Sequence, residues 1–226
     1  METNKGNGLM SLILGLSNDN NRKSCFIMLL QIARHLSGRN IDTGDSEKCF
    51  TAMQYELTEH GDFEENKLFY GQIFAGTTMY LILLDLIGDL FINTEKGKIN
   101  HTNGIKCALS HFSSCEENDK EAVTGLRHTL AHNFGLAQCA SKNSNGRRKY
   151  TLSLNPDSPL VKQPDEQWNC DFSNKSETTS TEIGVKALGD LAENVVKNIY
   201  DCYQSGTLKF QISDEEEIKS RFTILI

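Results

Sequence analysis

The chain has 226 residues, a formal net charge of −7 and 38% hydrophobic residues. That length supplies the core of one domain, or at most two small ones. The acidic balance excludes a protein that coats nucleic acid by bulk phosphate neutralisation, while leaving room for a local basic site.

In chain order, Met1 to Asn21 is polar apart from Leu9 to Leu16 and reads as a mobile tail or a short first helix. Phe26, Leu29, Ala33 and Leu36 recur at helical spacing up to Gly38, which predicts a helix over about 22–37. A second helix is expected over Ser46 to His60, with Phe50, Met53 and Leu57 on one side and Gly61 breaking it. Glu64 to Phe91 predicts one long helix, or two joined near Gly76. Its apolar run from Met79 to Ile92 is interrupted by Asp85 and Asp89 and is too short to span a bilayer, so a buried core helix and no membrane partner are expected.

Asn103 to Cys115 predicts a further helix, and Asp119 is placed as the cap of the next, running to about Ala140. The period then changes. Tyr150, Leu152 and Leu154 alternate with Thr151 and Ser153, as in a half-buried strand, and Trp168 to Phe172 is its expected partner across the loop holding Pro156, Pro159 and Pro164. Thr179-x-x-Glu182 reads as a capping box for a helix whose Leu188, Leu191, Val195, Ile199 and Cys202 share one face up to Gly206. Leu208, Phe210 and Ile212 alternate again, and Ser213-x-x-Glu216 caps a short terminal helix. No linker divides the chain, so residues 1–226 are expected to form a single, mainly α helical domain. A small antiparallel β element flanks it, with an insertion at about 147–173 and a short strand at about 207–212.

The seven Cys, an odd number without a Cys-x-x-Cys pair, and the lack of a signal-like opening predict reduced thiols and a cytoplasmic protein.

Chemistry concentrates in Arg127-His128-Thr129-Leu130-Ala131-His132. A guanidinium grips phosphate and an imidazole moves a proton near neutral pH, the minimum equipment for cutting RNA without a metal. On a helical wheel Val123, Leu126, Leu130, Phe134 and Ala137 form a core face, while Glu121, Thr124, His128, His132, Gly135 and Cys139 lie opposite with Gly125 beside them. Arg127 sits at the border, about 140° from His132, too far round for both to grip one phosphate from a single helix. Two helices related by a two-fold axis near the Gly125 to Gly135 face would bring them together, so a homodimer is expected. Just downstream, Arg147, Arg148 and Lys149 are the candidate RNA-phosphate contacts.

Arg127-His128-Thr129-Leu130-Ala131-His132, set on a late helix of an all-α bundle, resembles the motif of the HEPN superfamily: an arginine, a polar residue and a histidine four to six residues on. The resemblance implies a HEPN-like bundle that dimerises so that two motifs line one cleft. It also implies a metal-independent endoribonuclease of toxin–antitoxin, defence or RNA-processing systems, with RNA and an antitoxin or other protein as partners. Attack by the ribose 2′-hydroxyl would leave a cyclic phosphate, with His132 transferring the proton and Arg127 holding the phosphate. His128 stands where the motif more commonly carries Asn or Asp. The alternative is a non-catalytic HEPN-like module that binds RNA, nucleotide or protein.

A different class would be a metal protein. His128 with His132, and Cys107, His111 and Cys115, recur at four-residue spacing, but Thr129 replaces the Glu of an HExxH hydrolase, so no metal and no cofactor are expected. The plainest alternative pairs Arg127 with a carboxylate such as Glu121 or Glu193 and leaves both histidines solvated.

Overall fold

The computed structural model describes residues 5–17, 19, 21–46, 63–97, 99, 101–133, 135–139, 147–174 and 176–225. Helix α1 (Lys5–Ile13) buries Leu9, Met10 and Ile13. Strand β1 (Arg22–Ser24) leads into α2 (Cys25–Leu36), whose first turn is capped where the Ser24 hydroxyl accepts from the Ile27 N–H at 3.3 Å. The helix expected from about 22 therefore starts at Cys25, because residues 22–24 pair with the end of the chain. The helix expected at 46–60 lies, apart from Ser46, outside the described residues.

Helix α3 (Phe63–Leu90) is continuous through Gly76 and forms the spine, with Tyr80, Leu83, Leu84, Ile87 and Leu90 buried. Its Gly71–Leu90 stretch is long and apolar enough to cross a bilayer, longer than the run read from sequence, yet 56% of its 18-residue apolar window is buried here as in a core helix. It ends in β2 (Phe91–Asn93), and α4 (Gly104–Phe112) follows, started by Asn103, whose side chain accepts from the Lys106 N–H. The two helices touch backbone to backbone: a Cβ on Gly88 would overlap the Gly104 carbonyl. Helix α5 (Glu117–Asn133) contributes Val123, Leu126 and Leu130 to the same core.

After α5 the chain makes four strands, β3 (Ala137–Cys139), β4 (Arg147–Ser153), β5 (Val161–Lys162) and β6 (Thr181–Gly184), in the order β3-β4-β6-β5. Helix α6 (Val185–Gln204) then buries Leu188, Ala192, Val195 and Ile199. Strand β7 (Leu208–Phe210) pairs with β2, helix α7 (Glu215–Phe222) follows, and β8 (Thr223–Leu225) closes on β1, both pairs antiparallel.

Several expectations are corrected. The fold is mainly α with small sheets, but the flanking sheet is mixed: β4 runs parallel to β6 and antiparallel to β3. It draws in residues 137–139 and 181–184 from outside the expected 147–173. Trp168 to Phe172 is no strand: Trp168 is buried, its indole N–H donates to the Asp171 carbonyl at 3.1 Å, and its ring meets Phe172 edge-on. Helix α5 stops at Asn133 rather than near Ala140, since residues 137–139 satisfy their backbone groups on β4. Asp119 lies inside its first turn rather than at the cap. Glu182 of the expected capping box is in β6, and α6 starts behind Gly184 with no side-chain cap. The cap of α7 is Asp214, one residue later than expected.

Cys139 and Cys170 form a disulfide across 31 residues, against the expectation of reduced thiols. It ties β3 to the loop beneath Trp168. Reduction, or Cys170→Ser, is expected to cost about 2 kcal/mol, the low end for a loop of this size, because other contacts already pin the segment. Urea unfolding with and without reductant measures it, and identical midpoints would dismiss the linkage as a stabiliser.

Candidate functional site

Apolar residues three and four apart turn one side of α5 into the core, which leaves Glu121, Thr124, His128 and Ala131 on its outer side and Arg127 at the edge facing α3. The Arg127 Nη2 lies 2.5 Å from Asp85 Oδ2, and the two side chains are 32% and 20% exposed. Glu121 and Glu193, the partners read from sequence, are engaged elsewhere: Glu121 with Lys106, Glu193 with Arg34. Arg127 Nε, and Thr124 Oγ1 one turn before it, are buried without a hydrogen-bond partner. His128 is exposed, and His132 stands in the last turn of α5.

Asp85 was absent from the expected site, though the sequence held its signal. Two aspartates four residues apart in the otherwise apolar run from Met79 to Ile92 call for a cation from a neighbouring element, because an unpaired buried carboxylate is costly. Asp89, on the same face, has its carboxyl pushed up by burial and by Asp85, against the opposing pull of Arg221 and Arg127. The neighbourhood of Arg127 is therefore rich in carboxylates, with Glu117 and Glu121 ion-paired to Lys106 on the α4 side.

The basic run does not form one patch. Residues alternate across a strand, so Arg147 and Lys149 point one way and Arg148 the other. Arg147 is exposed, whereas Lys149 Nζ donates to the carbonyls of Asn174 and Ser176 at 3.1 and 2.9 Å. Arg148 lies across α5, its Nη1 directed at the Glu121 carbonyl, and with the Tyr150 hydroxyl it fills the space where Gly125 lacks a Cβ. Close approach to Gly125 thus comes from this chain's own sheet, and Gly135 lies beyond the end of α5.

Gly125→Ala is expected to cost about 1–3 kcal/mol, since the added methyl displaces the Arg148 guanidinium and the Tyr150 hydroxyl. Thermal unfolding measures it, and a neutral result would mean that the sheet moves freely over α5.

The other candidate residues are packed into the interior. Cys107 Sγ donates to the His101 carbonyl at 3.3 Å, and burial pushes its thiol up. Burial raises the Cys115 thiol to about 11 and lowers His111 from its usual value. Among the described residues no three His, Cys, Asp or Glu side chains come together as metal ligands.

No protein-family model, curated protein or solved structure matches the chain.

Proposed function

We propose that the protein is a metal-independent endoribonuclease of HEPN type, cutting RNA by 2′-hydroxyl attack at a site built on Arg127 and His132. The observation that carries the reading is the state of Arg127. Its guanidinium is oriented by Asp85 and partly exposed, and its Nε has no partner in the fold. A buried donor without a partner asks for an acceptor, and a phosphate oxygen is one. In this reading Asp85 orients Arg127, Arg127 offsets charge developing on the phosphate, and His132 transfers the proton. His128 contacts the substrate from the same helix, and Arg147 is the member of the basic run available to a phosphate. A homodimer supplies the second motif, in a toxin–antitoxin, defence or RNA-processing setting, with an antitoxin or other protein as a further partner.

The test is incubation of single-stranded RNA with the purified protein at neutral pH in the presence of a chelator. The expected products end in a cyclic phosphate and a 5′-hydroxyl. RNA that stays intact would sink the nuclease reading.

One observation favours a second reading, a non-catalytic HEPN-like module that binds RNA, nucleotide or protein. Arg127 is ion-paired and flanked by the carboxylates of Asp85 and Asp89, a setting that weakens its pull on phosphate. RNA retention without cleavage would decide for it.

A further inference from the structure

The flanking sheet has a polar face that the nuclease reading does not use. Tyr150 and Leu152 of β4 and Ile183 of β6 turn into the core, so Thr151, Ser153 and Glu182 turn away from it. Glu182 sits in register between Thr151 on one side and Lys162 on the other. Ser180, two residues earlier, shares its face.

The segment after β5 folds back to wall this face in. The Glu166 N–H donates to the Thr178 carbonyl at 3.2 Å, Lys149 holds the carbonyls of Asn174 and Ser176, and the Cys139 to Cys170 disulfide anchors the middle. The open cleft is about 460 Å³ and includes Asp165, Glu177, Glu182, Lys162, Thr151 and Ser180 in its lining. Three carboxylates against one ammonium make it acidic. Among the described residues none of these four charged groups is in an ion pair; Glu182 receives only a long bond from the Ser158 hydroxyl, at 3.4 Å. Ser180 is 5% exposed, and its hydroxyl has no hydrogen-bond partner.

We propose that this cleft binds an organic cation, a guanidinium or primary ammonium group, carried by a small molecule or by a basic side chain of a peptide. The volume falls within the range of small-ligand sites, roughly 300–1,000 Å³. An anion is disfavoured by the charge balance. A metal is disfavoured because the carboxylates do not converge on one point. A planar guanidinium instead offers several donors in a fork that spreads over carboxylates and hydroxyls set apart from one another. Glu182 at the sheet face is the main charge partner, Glu177 guards the rim, and the Ser180 hydroxyl gains the partner that the fold denies it.

Titration of agmatine and of the tripeptide Gly-Arg-Gly, followed by amide chemical shifts at low salt, tests this on the intact protein. The expected result is saturable shifts at Thr151, Ser180 and Glu182 with none along the exposed side of α5. The uncharged urea analogue of agmatine should bind about tenfold more weakly or worse, and Glu182→Gln and Glu177→Gln should each weaken the cation to a similar degree. Ser180→Ala should weaken binding a few-fold without lowering the melting temperature, because it removes a hydroxyl that the empty fold leaves unsatisfied. Saturation by agmatine places the ligand among small molecules, and saturation by the tripeptide alone places it on a peptide. No shift with either at millimolar concentration, equal binding of the urea analogue, or unchanged affinity in a folded Glu182→Gln protein would overturn the proposal.

Discussion

Glu193→Ala is expected to destabilise the fold by about 3–5 kcal/mol, because it leaves a guanidinium buried without its counter-ion. Arg34 is 11% exposed and grips Glu193 in a two-pronged pair, Nε to Oε1 at 2.9 Å and Nη2 to Oε2 at 2.7 Å. Its remaining Nη1 holds the carbonyls of Ile41 and Asp42 at 2.9 and 2.8 Å, and the Tyr80 hydroxyl donates to Glu193 Oε1 at 2.8 Å. One carboxylate on α6 thus fastens α2, α3 and the segment after α2. Arg39 repeats the device beside it, bonding the Gly44 and Lys186 carbonyls and pairing with Asp190. Urea unfolding checks the value. The double change Arg34→Met with Glu193→Leu should recover much of the loss, since an apolar pair of similar volume replaces both charges. A Glu193→Ala protein as stable as the parent would show that water reaches and solvates Arg34.

Arg127→Ala and His132→Ala are each expected to slow RNA cleavage by about two orders of magnitude or more, one by losing the phosphate grip and the other the proton-transfer group. His128→Asn should be milder, since Asn is what the motif more commonly carries there. Asp85→Asn separates two roles for the ion pair. If Asp85 orients Arg127 for catalysis, cleavage falls while stability drops by no more than about 1 kcal/mol, as for a partly exposed pair. If the pair only joins α3 to α5, Asp85→Asn and Arg127→Ala lower the melting temperature alike and leave RNA handling unchanged. Cleavage that survives both alanine substitutions would place the chemistry away from α5.

Much of the helical scaffold was legible because its signal is local. Leu83, Leu84, Ile87 and Leu90 repeat at the period of a helix, and the alternation of Tyr150 and Leu152 marks β4 without reference to any partner. Pairing was not legible. Residues 137–139 continue a helical pattern on paper, yet they form the strand that β4 requires at its edge. The site divides in the same way. Arg127, His128 and His132 stand out as residue types at a spacing, whereas Asp85 lies 42 positions upstream and meets Arg127 only when α3 packs on α5. Arg148 and Lys149 read as a basic run, and it takes the sheet to turn one onto Gly125 and the other onto the loop.

By itself the sequence determined where most helices run, which faces they bury and which residues carry titratable chemistry, since propensity and periodicity act over a few neighbours. The tertiary structure alone decided that Asp85 takes Arg127, that Glu193 takes Arg34, that Cys139 finds Cys170 and that an acidic cleft forms beside β6. Each of those joins groups more than 30 residues apart or depends on strand register, and the free energy of such contacts comes from packing and desolvation that no short window of sequence contains.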